Sequence, residues 1–337
     1  MTQLPGISVL MATLNAERYL ERCLSTLRDQ DYPAELIEVI VADAGSVDST
    51  LGLLSRYRVD KVVPNPGVTT EAARAILNPL ATKELILYID SDNYLVGSDW
   101  LRRLAQPFLD DPTIFAADPI RFDYEPSDPP LNRYFALAGI NDPVSLFMGN
   151  YGRYSYMTGK WTGMPHTEVK CSGYVVAELS PGYVPTMGSQ GFLVRADVLM
   201  EVSTGDYYFD IDGPIELVNK GYRRIAKVDV NVGHQFARDL PSLRRKILRR
   251  IEDYLYWRNR RSFPWLSSGR MSLIRFALYT LLVVPLIWQL SRGWTRKRDT
   301  AWLYHIPVCW MTLWLYGWGV VRSTVRRSPH SREGWQH

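Results

Sequence analysis

The chain has 337 residues, 46% hydrophobic and 22% charged, which excludes wholesale disorder and suits one large domain with an appendage or two modest domains. Three widely separated cysteines, Cys23, Cys171 and Cys309, exclude a disulfide-stapled scaffold and a CxxC metal knuckle, and fit a reducing compartment. The net charge of +4 hides an asymmetry: residues 1–237 sum to −10 and residues 238–337 to +14, an acidic globule with a basic tail of the kind that meets phosphate or an anionic membrane surface.

The first ten residues carry no charged leader, and the apolar run 7–11 is too short for a signal core. The N-terminal part is therefore expected to stay in the cytosol. From residue 7 to about 118, short apolar runs (7–12, 37–43, 59–63, 85–90 and 114–118) alternate with stretches of helical spacing. Leu20, Cys23, Leu24 and Leu27 fall on one helix face, and Tyr32-Pro33 ends that helix. Thr69-Thr70-Glu71 opens another with hydroxyl caps ahead of an acidic first turn, and Ser98-Asp99 opens a third. This alternation predicts an α/β, Rossmann-like, mostly parallel sheet with helices on both faces. Ligands in such sheets collect outside the carboxyl ends of the strands, and three runs reach an Asp there: Asp43, Asp90 and Asp118.

Residues 119–186 are rich in Tyr, Pro and Gly and read as loops, short strands and a variable lid over the sheet. A turn and strand follow at 187–195, then a helix at 214–220 closed by Gly221, then a last strand at 225–232. Residues 1–237 are taken as one α/β domain.

Beyond Pro241 the pattern predicts a basic amphipathic helix over 244–261, with Arg244, Arg245 and Arg249 on it and an aromatic end, suited to a membrane interface. The interfacial region is drawn as 238–270. Two apolar stretches follow, 271–290 with one charge, Arg275, and 301–321 with none. Each is long enough to cross a hydrocarbon core of ~30 Å at ~1.5 Å per residue. Nine of the 11 Trp lie after residue 256, several near the ends of these stretches like an interfacial belt. A spanning hairpin over 271–322 is the expectation, with a polar tail at 323–337. Yet Arg292, Arg296, Lys297 and Arg298 between the stretches conflict with the positive-inside rule, and Pro285 and Pro307 suit a kink. A hairpin that enters and returns, or a buried interface in a homo-oligomer, are the alternatives. The interleaved apolar stretches point to lipid and not to nucleic acid.

The most informative segment is Leu87-Tyr88-Ile89-Asp90-Ser91-Asp92-Asn93, a strand running into Asp-x-Asp. Two carboxylates at that spacing can converge on one hard cation, which can bridge a diphosphate and neutralise it as a leaving group. A surface turn is the plainer reading. Two further blocks accompany it. One is the strand and turn ending Thr13-Leu14-Asn15-Ala16-Glu17, and the other is Ala42-Asp43-Ala44-Gly45-Ser46-Val47-Asp48-Ser49-Thr50. Helix capping is the alternative role of Asp43 and Asp48.

In the order and spacing of these blocks, from about residue 7 to 249, the sequence resembles the family 2 glycosyltransferases of the GT-A fold. The resemblance implies that Thr13, Asn15 and Glu17 line a nucleotide pocket, that Asp43 contacts base or ribose within the Gly45 turn, and that Arg74 sits near the nucleotide. It implies that Asp90, Ser91 and Asp92 handle ribose and metal, with Asp92 the direct ligand and Asp90 beside it. Tyr208-Phe209-Asp210-Ile211-Asp212-Gly213 looks like the family's acidic block, with Phe209 and Gly213 departing from the usual Glu and Leu. Either Asp210 or Asp212 is then the catalytic base, Asp210 being the better aligned. A capping Asp before the following helix is the other role, and Asp212 suits it better. His234 resembles the strand-end His that completes the metal site, although a lone His is more often structural.

The expectation is thus an inverting, metal-dependent enzyme using Mg²⁺ or Mn²⁺. It would move a sugar from a UDP- or GDP-linked donor to a lipid-linked acceptor, polyprenyl phosphate or a lipid-linked glycan. Arg244, Arg245 and Arg249 would meet the lipid phosphate, with the catalytic domain on the cytoplasmic face of the membrane. A sugar-phosphate nucleotidyltransferase and an inactive nucleotide-binding membrane scaffold are the alternatives. The former leans on a Gly-rich loop with a basic residue that residues 11–17 lack.

Overall fold

A computed structural model describes residues 3–202, 205–257 and 269–325. The chain divides into two compact units, one formed by the residues up to Asp123 with Met164–His234, the other by Tyr124–Gly163 with the residues from Gln235 onward.

The first unit is built on a ten-stranded sheet. Its strands are β1 (Ile7–Thr13), β2 (Ile37–Asp43), β3 (Lys61–Pro64), β4 (Leu85–Tyr88), β5 (Asn93–Leu95), β6 (Ile114–Asp123), β7 (Thr167–Cys171), β8 (Tyr174–Glu178), β9 (Phe192–Arg195) and β10 (Arg224–His234). They lie in the order β3-β2-β1-β4-β9-β6-β10-β8-β7, with β5 paired to β10. β1 is buried almost along its whole length, as a strand covered on both faces must be. Helix Glu17–Arg28 buries the predicted stripe Leu20, Cys23, Leu24 and Leu27. Thr69 caps helix Thr70–Leu77 by accepting from the Ala72 N–H at 3.2 Å.

The sheet is mixed, not mostly parallel. β3, β2, β1 and β4 run parallel, but β9 is antiparallel to both β4 and β6. β9 runs in the same sense as β8, which is antiparallel to β10, and the connection between them passes β10 and β6, so both strands oppose the parallel set. Asp118 does not end a strand either: β6 continues to Asp123, and Asp118 sits mid-strand opposite Lys227, both fully buried and ion-paired.

The second unit is helical. Residues 124–163 are not a loop lid: they hold helices Pro130–Ala138 and Val144–Met148. Helix Pro130–Ala138 buries Leu131, Asn132 and Tyr134 to Ala138, so it presents no exposed polar face. Its Tyr134 and Phe135 pack edge-on against Trp302 and Phe236. Asn132 Oδ1 accepts from the Phe236 N–H at 2.7 Å, and Arg133 pairs with Asp299 at 3.0 Å. The continuous domain 1–237 expected from sequence is therefore interrupted, because 124–163 shares its core with the C-terminal segment.

The basic helix is Leu240–Trp257, burying Leu243, Ile247, Ile251 and Trp257. Arg258, Arg260 and Arg261, and the tail from 326 on, lie outside the described residues. The first apolar stretch is not one straight helix. Helices Arg270–Leu282 and Val284–Arg296 meet at Val283, whose φ is 61°, with a bend of 92°. Pro285 in the first turn of the second helix has no N–H to continue the ladder. The second stretch begins as a 3-10 turn, Thr300–Tyr304, and continues as helix His305–Val325. Among the described residues no single helix is long and apolar enough to cross a membrane; the bent pair meets the length and composition requirement only jointly.

Candidate active site

The register of the sheet brings the predicted blocks to one edge of the first unit. Thr13 and Asp43 are partners at the carboxyl ends of β1 and β2, and β4, beside β1, runs out into Asp90. The Thr13 hydroxyl donates to Asp43 Oδ1 at 2.8 Å. The backbone N–H groups of Gly45 and Ser46 donate to Asp43 Oδ2 at 2.9 and 2.8 Å, and the Ser46 hydroxyl donates to Oδ1 at 2.6 Å. Gly45 takes φ +87°, which lets the turn fold back onto the carboxylate. Burial alone would raise the Asp43 carboxyl, but the hydrogen bonds from Ser46, Thr13 and Gly45 outweigh it and hold its pKa below the ordinary value.

Asn15 and Glu17 lace the two loops together. The Asn15 N–H donates to the Ser46 hydroxyl at 2.9 Å, and the Val47 N–H to Asn15 Oδ1 at 3.0 Å. The Ser49 N–H donates to Glu17 Oε2, and the Glu17 N–H to Asp48 Oδ2, each at 3.1 Å. Asp48 thus has a structural role, and Asp43 carries the architecture of its turn.

The second cluster centres on Arg74. Its side chain is only 5% exposed, and it reaches Asp90 Oδ1 at 3.4 Å and Asp210 Oδ2 at 3.1 Å. Its guanidinium lies 5.3 Å above the Tyr88 ring, which stacks on Tyr208 with centroids 6.0 Å apart. The Tyr88 hydroxyl donates to Asn78 Oδ1 at 2.7 Å, fixing the ring. Burial outweighs the Arg74 charge at Asp90; with Asp92 and Asp210 adding repulsion, the Asp90 pKa is raised. The turn at Gly188 packs against the Asp210 backbone: a Cβ on Gly188, at φ +116°, would lie 2.0 Å from the Asp210 carbonyl oxygen. Asp212, two residues on, opens helix Asp212–Asn219.

The third pair is Asp92 and His234. β5 runs antiparallel to β10 and registers Asn93 opposite His234, which brings Asp92 Oδ1 to 3.7 Å from His234 Nε2. Asn93 Oδ1 closes the turn by accepting from the Asp90 N–H at 2.9 Å, across Ser91. Gly233 is required here, since its Cβ would meet the Tyr94 ring at 2.0 Å.

Among the described residues no group of three or more His, Cys, Asp or Glu side chains converges as a metal cage. Asp90, expected beside the metal, turns to Arg74 instead, because the buried guanidinium is its nearest counter-charge. Asp92 and His234 remain adjacent, an oxygen and a nitrogen donor that fit a cation completed by substrate phosphates and water. Ser46 and Asn93 stand inside the sequence motifs without a role of their own, and Tyr88, Tyr208 and Gly188 carry none in the sequence reading. Tyr88 and Tyr208 read there as strand and block filler, and nothing in spacing marks a ring beneath a guanidinium. Arg244, Arg245 and Arg249 lie in the second unit, exposed on helix Leu240–Trp257.

The sequence profile of Glycosyl transferase family 2 matches residues 8–183. The chain belongs to this family. A poly(ribitol-phosphate) β-N-acetylglucosaminyltransferase, TarS, of Staphylococcus aureus is 34% identical over 94 residues, 26% of this chain and 16% of that protein. A Methanococcus voltae dolichyl N-acetyl-α-D-glucosaminyl phosphate 3-β-D-2,3-diacetamido-2,3-dideoxy-β-D-glucuronosyltransferase is 32% identical over 68 residues, 20% of this chain and 21% of that one. These matches span well under a quarter of each relative's length. Mannosyltransferase PcManGT from Pyrobaculum calidifontis, solved with GDP-Man and Mn²⁺, superposes with a TM-score of 0.54 at 17% identity, over 97% of this chain and 89% of that one. Its likeness establishes the fold, an α/β GT-A-like architecture with a mixed sheet.

Proposed function

We propose that the chain is an inverting, metal-dependent glycosyltransferase that moves a sugar from a nucleotide-diphosphate donor to a lipid-linked acceptor at a membrane surface. The observation that carries this is Arg74 spanning Asp90 and Asp210 beside the Asp92–His234 pair, at the strand ends that follow the laced 13–17 and 43–50 loops. The donor is UDP- or GDP-linked, its nucleoside facing the Thr13, Asn15, Asp43 and Gly45 turns. Mg²⁺ or Mn²⁺ on Asp92 and His234 would supply positive charge against the departing diphosphate. Arg74 brings a fixed, buried cation to the same place, present without any reorganisation when charge develops. Asp210 takes the acceptor proton, and its carboxylate is held in place by Arg74 and by hydrogen bonding to the Ile211 N–H at 2.9 Å.

The membrane part of the reading rests on exposed apolar side chains. Met271, Leu282 and Val284 on the bent pair are 74%, 65% and 71% exposed, and Trp314 on helix His305–Val325 is 68% exposed. So many exposed apolar side chains call for an apolar neighbour, and an in-plane or re-entrant insertion suits the 92° bend. Arg244, Arg245 and Arg249 would meet lipid phosphate on the cytoplasmic side. The Methanococcus voltae relative, named for a dolichyl-phosphate-linked sugar, lends the lipid acceptor support, and the Mn²⁺ in PcManGT lends the metal support.

The test is a panel of nucleotide sugars screened by thermal shift with Mn²⁺, followed by mass spectrometry of membrane lipid extracts after incubation with the stabilising donor. Nucleotide binding without donor consumption or a new lipid product would replace the enzyme by an inactive scaffold.

A further inference from the structure

The second unit contains an open cavity of about 420 Å³, bounded by the segment 146–163 and the bent helix pair. That is the size of a small-molecule site. Three of its lining residues are cations, Lys160, Arg275 and Arg292, and none is a carboxylate. Among the described residues no carboxylate pairs with any of the three. The guanidiniums are held by groups that leave their charge in place. Arg275 donates to the Phe147 carbonyl at 3.0 Å and lies 6.0 Å above the Phe147 and Tyr279 rings. Arg292 lies 4.8 Å above the Trp288 ring. Lys160 and Arg275 are exposed and Arg292 is half-buried, so water tempers their mutual repulsion while the cavity still offers an anion three cations without a carboxylate competitor. The rest of the wall mixes polar groups, Thr158 and Gln289, with the apolar side chains of Phe147, Met148 and Trp288. Outside it, Leu278, Leu282 and Ile287 of the same helix pair are at least half exposed.

We propose that this cavity binds the phosphate head of a membrane lipid through Lys160, Arg275 and Arg292, with the hydrocarbon chain leaving along the exposed face of the bent helices. Planar guanidiniums suit phosphate oxygens, and the apolar side chains suit the first carbons of the chain. The proposal rests on the membrane-surface part of the reading above and is independent of sugar transfer. The site is distinct from the exposed arginines of helix Leu240–Trp257.

The full chain and the Lys160→Gln/Arg292→Gln variant are compared for binding to vesicles of neutral phosphatidylcholine, of phosphatidylcholine with phosphatidylglycerol, and of phosphatidylcholine with polyprenyl phosphate. Arg292→Lys serves as the conservative control. The part of the tryptophan quenching by chain-brominated lipid that disappears in Trp288→Phe reports occupancy. The expected result is that phosphate-bearing lipid tightens binding to vesicles. The double variant should lose that gain by about ten-fold per cation removed, the size of one charge-assisted hydrogen bond, while keeping wild-type binding to neutral vesicles. Arg292→Lys should recover part of it. Loss on both anionic lipids assigns a general head-group site, and loss on polyprenyl phosphate alone assigns a phosphomonoester site. Equal binding of wild type and double variant to every vesicle overturns the proposal. So does an equal Trp288 response to inorganic phosphate alone, which would make the ligand a free anion. A chain that binds no vesicle at all overturns both this and the membrane reading, whereas failed sugar transfer with intact lipid binding overturns only the enzyme.

Discussion

Arg74 Nη1 lies 3.1 Å from Asp210 Oδ2 while its other terminal nitrogen lies 3.4 Å from Asp90 Oδ1, so one buried cation ties the proposed base to the Asp-x-Asp turn. Asp210→Asn keeps the shape and removes the proton acceptor. With a sugar hydroxyl as acceptor, turnover should fall ~10²–10⁴-fold. With polyprenyl phosphate, already largely ionised because its second pKa is ~6, the fall should be modest. Steady-state rates on the two acceptor classes decide between them.

Removing Arg74 leaves two partly buried carboxylates facing each other. Arg74→Met should lower stability by about 1–3 kcal/mol and abolish transfer. Combining it with Asp210→Asn should cost less stability than the sum of the two changes, because one repulsion disappears. Denaturant titration of the four proteins measures the coupling; strict additivity would mean the bridge carries no energy.

Asp92→Ala should remove most activity and the extra thermal stabilisation that Mn²⁺ confers in the presence of a nucleoside diphosphate. His234→Ala should weaken the same response. Full turnover of the wild type in excess chelator would remove the metal from the scheme.

The Asp43 carboxyl has its pKa lowered in the fold, because hydrogen bonds to the ionised form outweigh the effect of burial. Its contribution to stability is therefore complete above the unfolded value and is lost as pH falls through the folded one. Asp43→Asn should be destabilised at pH 7 by about 1–3 kcal/mol. The gap to wild type should close as pH drops below about 4, the ordinary range of the group. Urea midpoints between pH 3 and 7 test this, and a constant gap would contradict it.

Cys23 is fully packed, and burial together with the Asp92 and Asp90 charges pushes its thiol up. Cys171 is exposed on β7 and Cys309 is buried. A maleimide at pH 7.5 should label Cys171 alone in the native chain and all three after unfolding, read by intact mass.

Much of the site was legible because its residues obey local rules. Asp43, Gly45 and Ser46 form a turn that sequence alone suggests, and Thr69 caps its helix as the hydroxyl pattern implied. Arg74 was placed near the nucleotide by family resemblance, but its partnership with Asp210 joins residues 136 apart, and no period carries such a contact. The direction of β9 was hidden for the same reason: a four-residue apolar run looks identical in either sense. Helix Pro130–Ala138 was missed because it is short and buried almost all round, its polar residues Asn132 and Arg133 bonding to Phe236 and Asp299 instead of marking a solvent face. Asp118 misled because an Asp after an apolar run resembles a strand end until its fully buried partner, Lys227, is known.

Tyr134 donates to or accepts from His305 Nδ1 at 2.9 Å and packs against Trp302, both far along the chain. A shortened gene stopping near residue 237 would thus strip the oily side of helix Pro130–Ala138 of its cover. Its product should collect in inclusion bodies, so whoever wants a water-soluble enzyme for crystallisation must trim outward-facing side chains of the bent helices instead of cutting the chain.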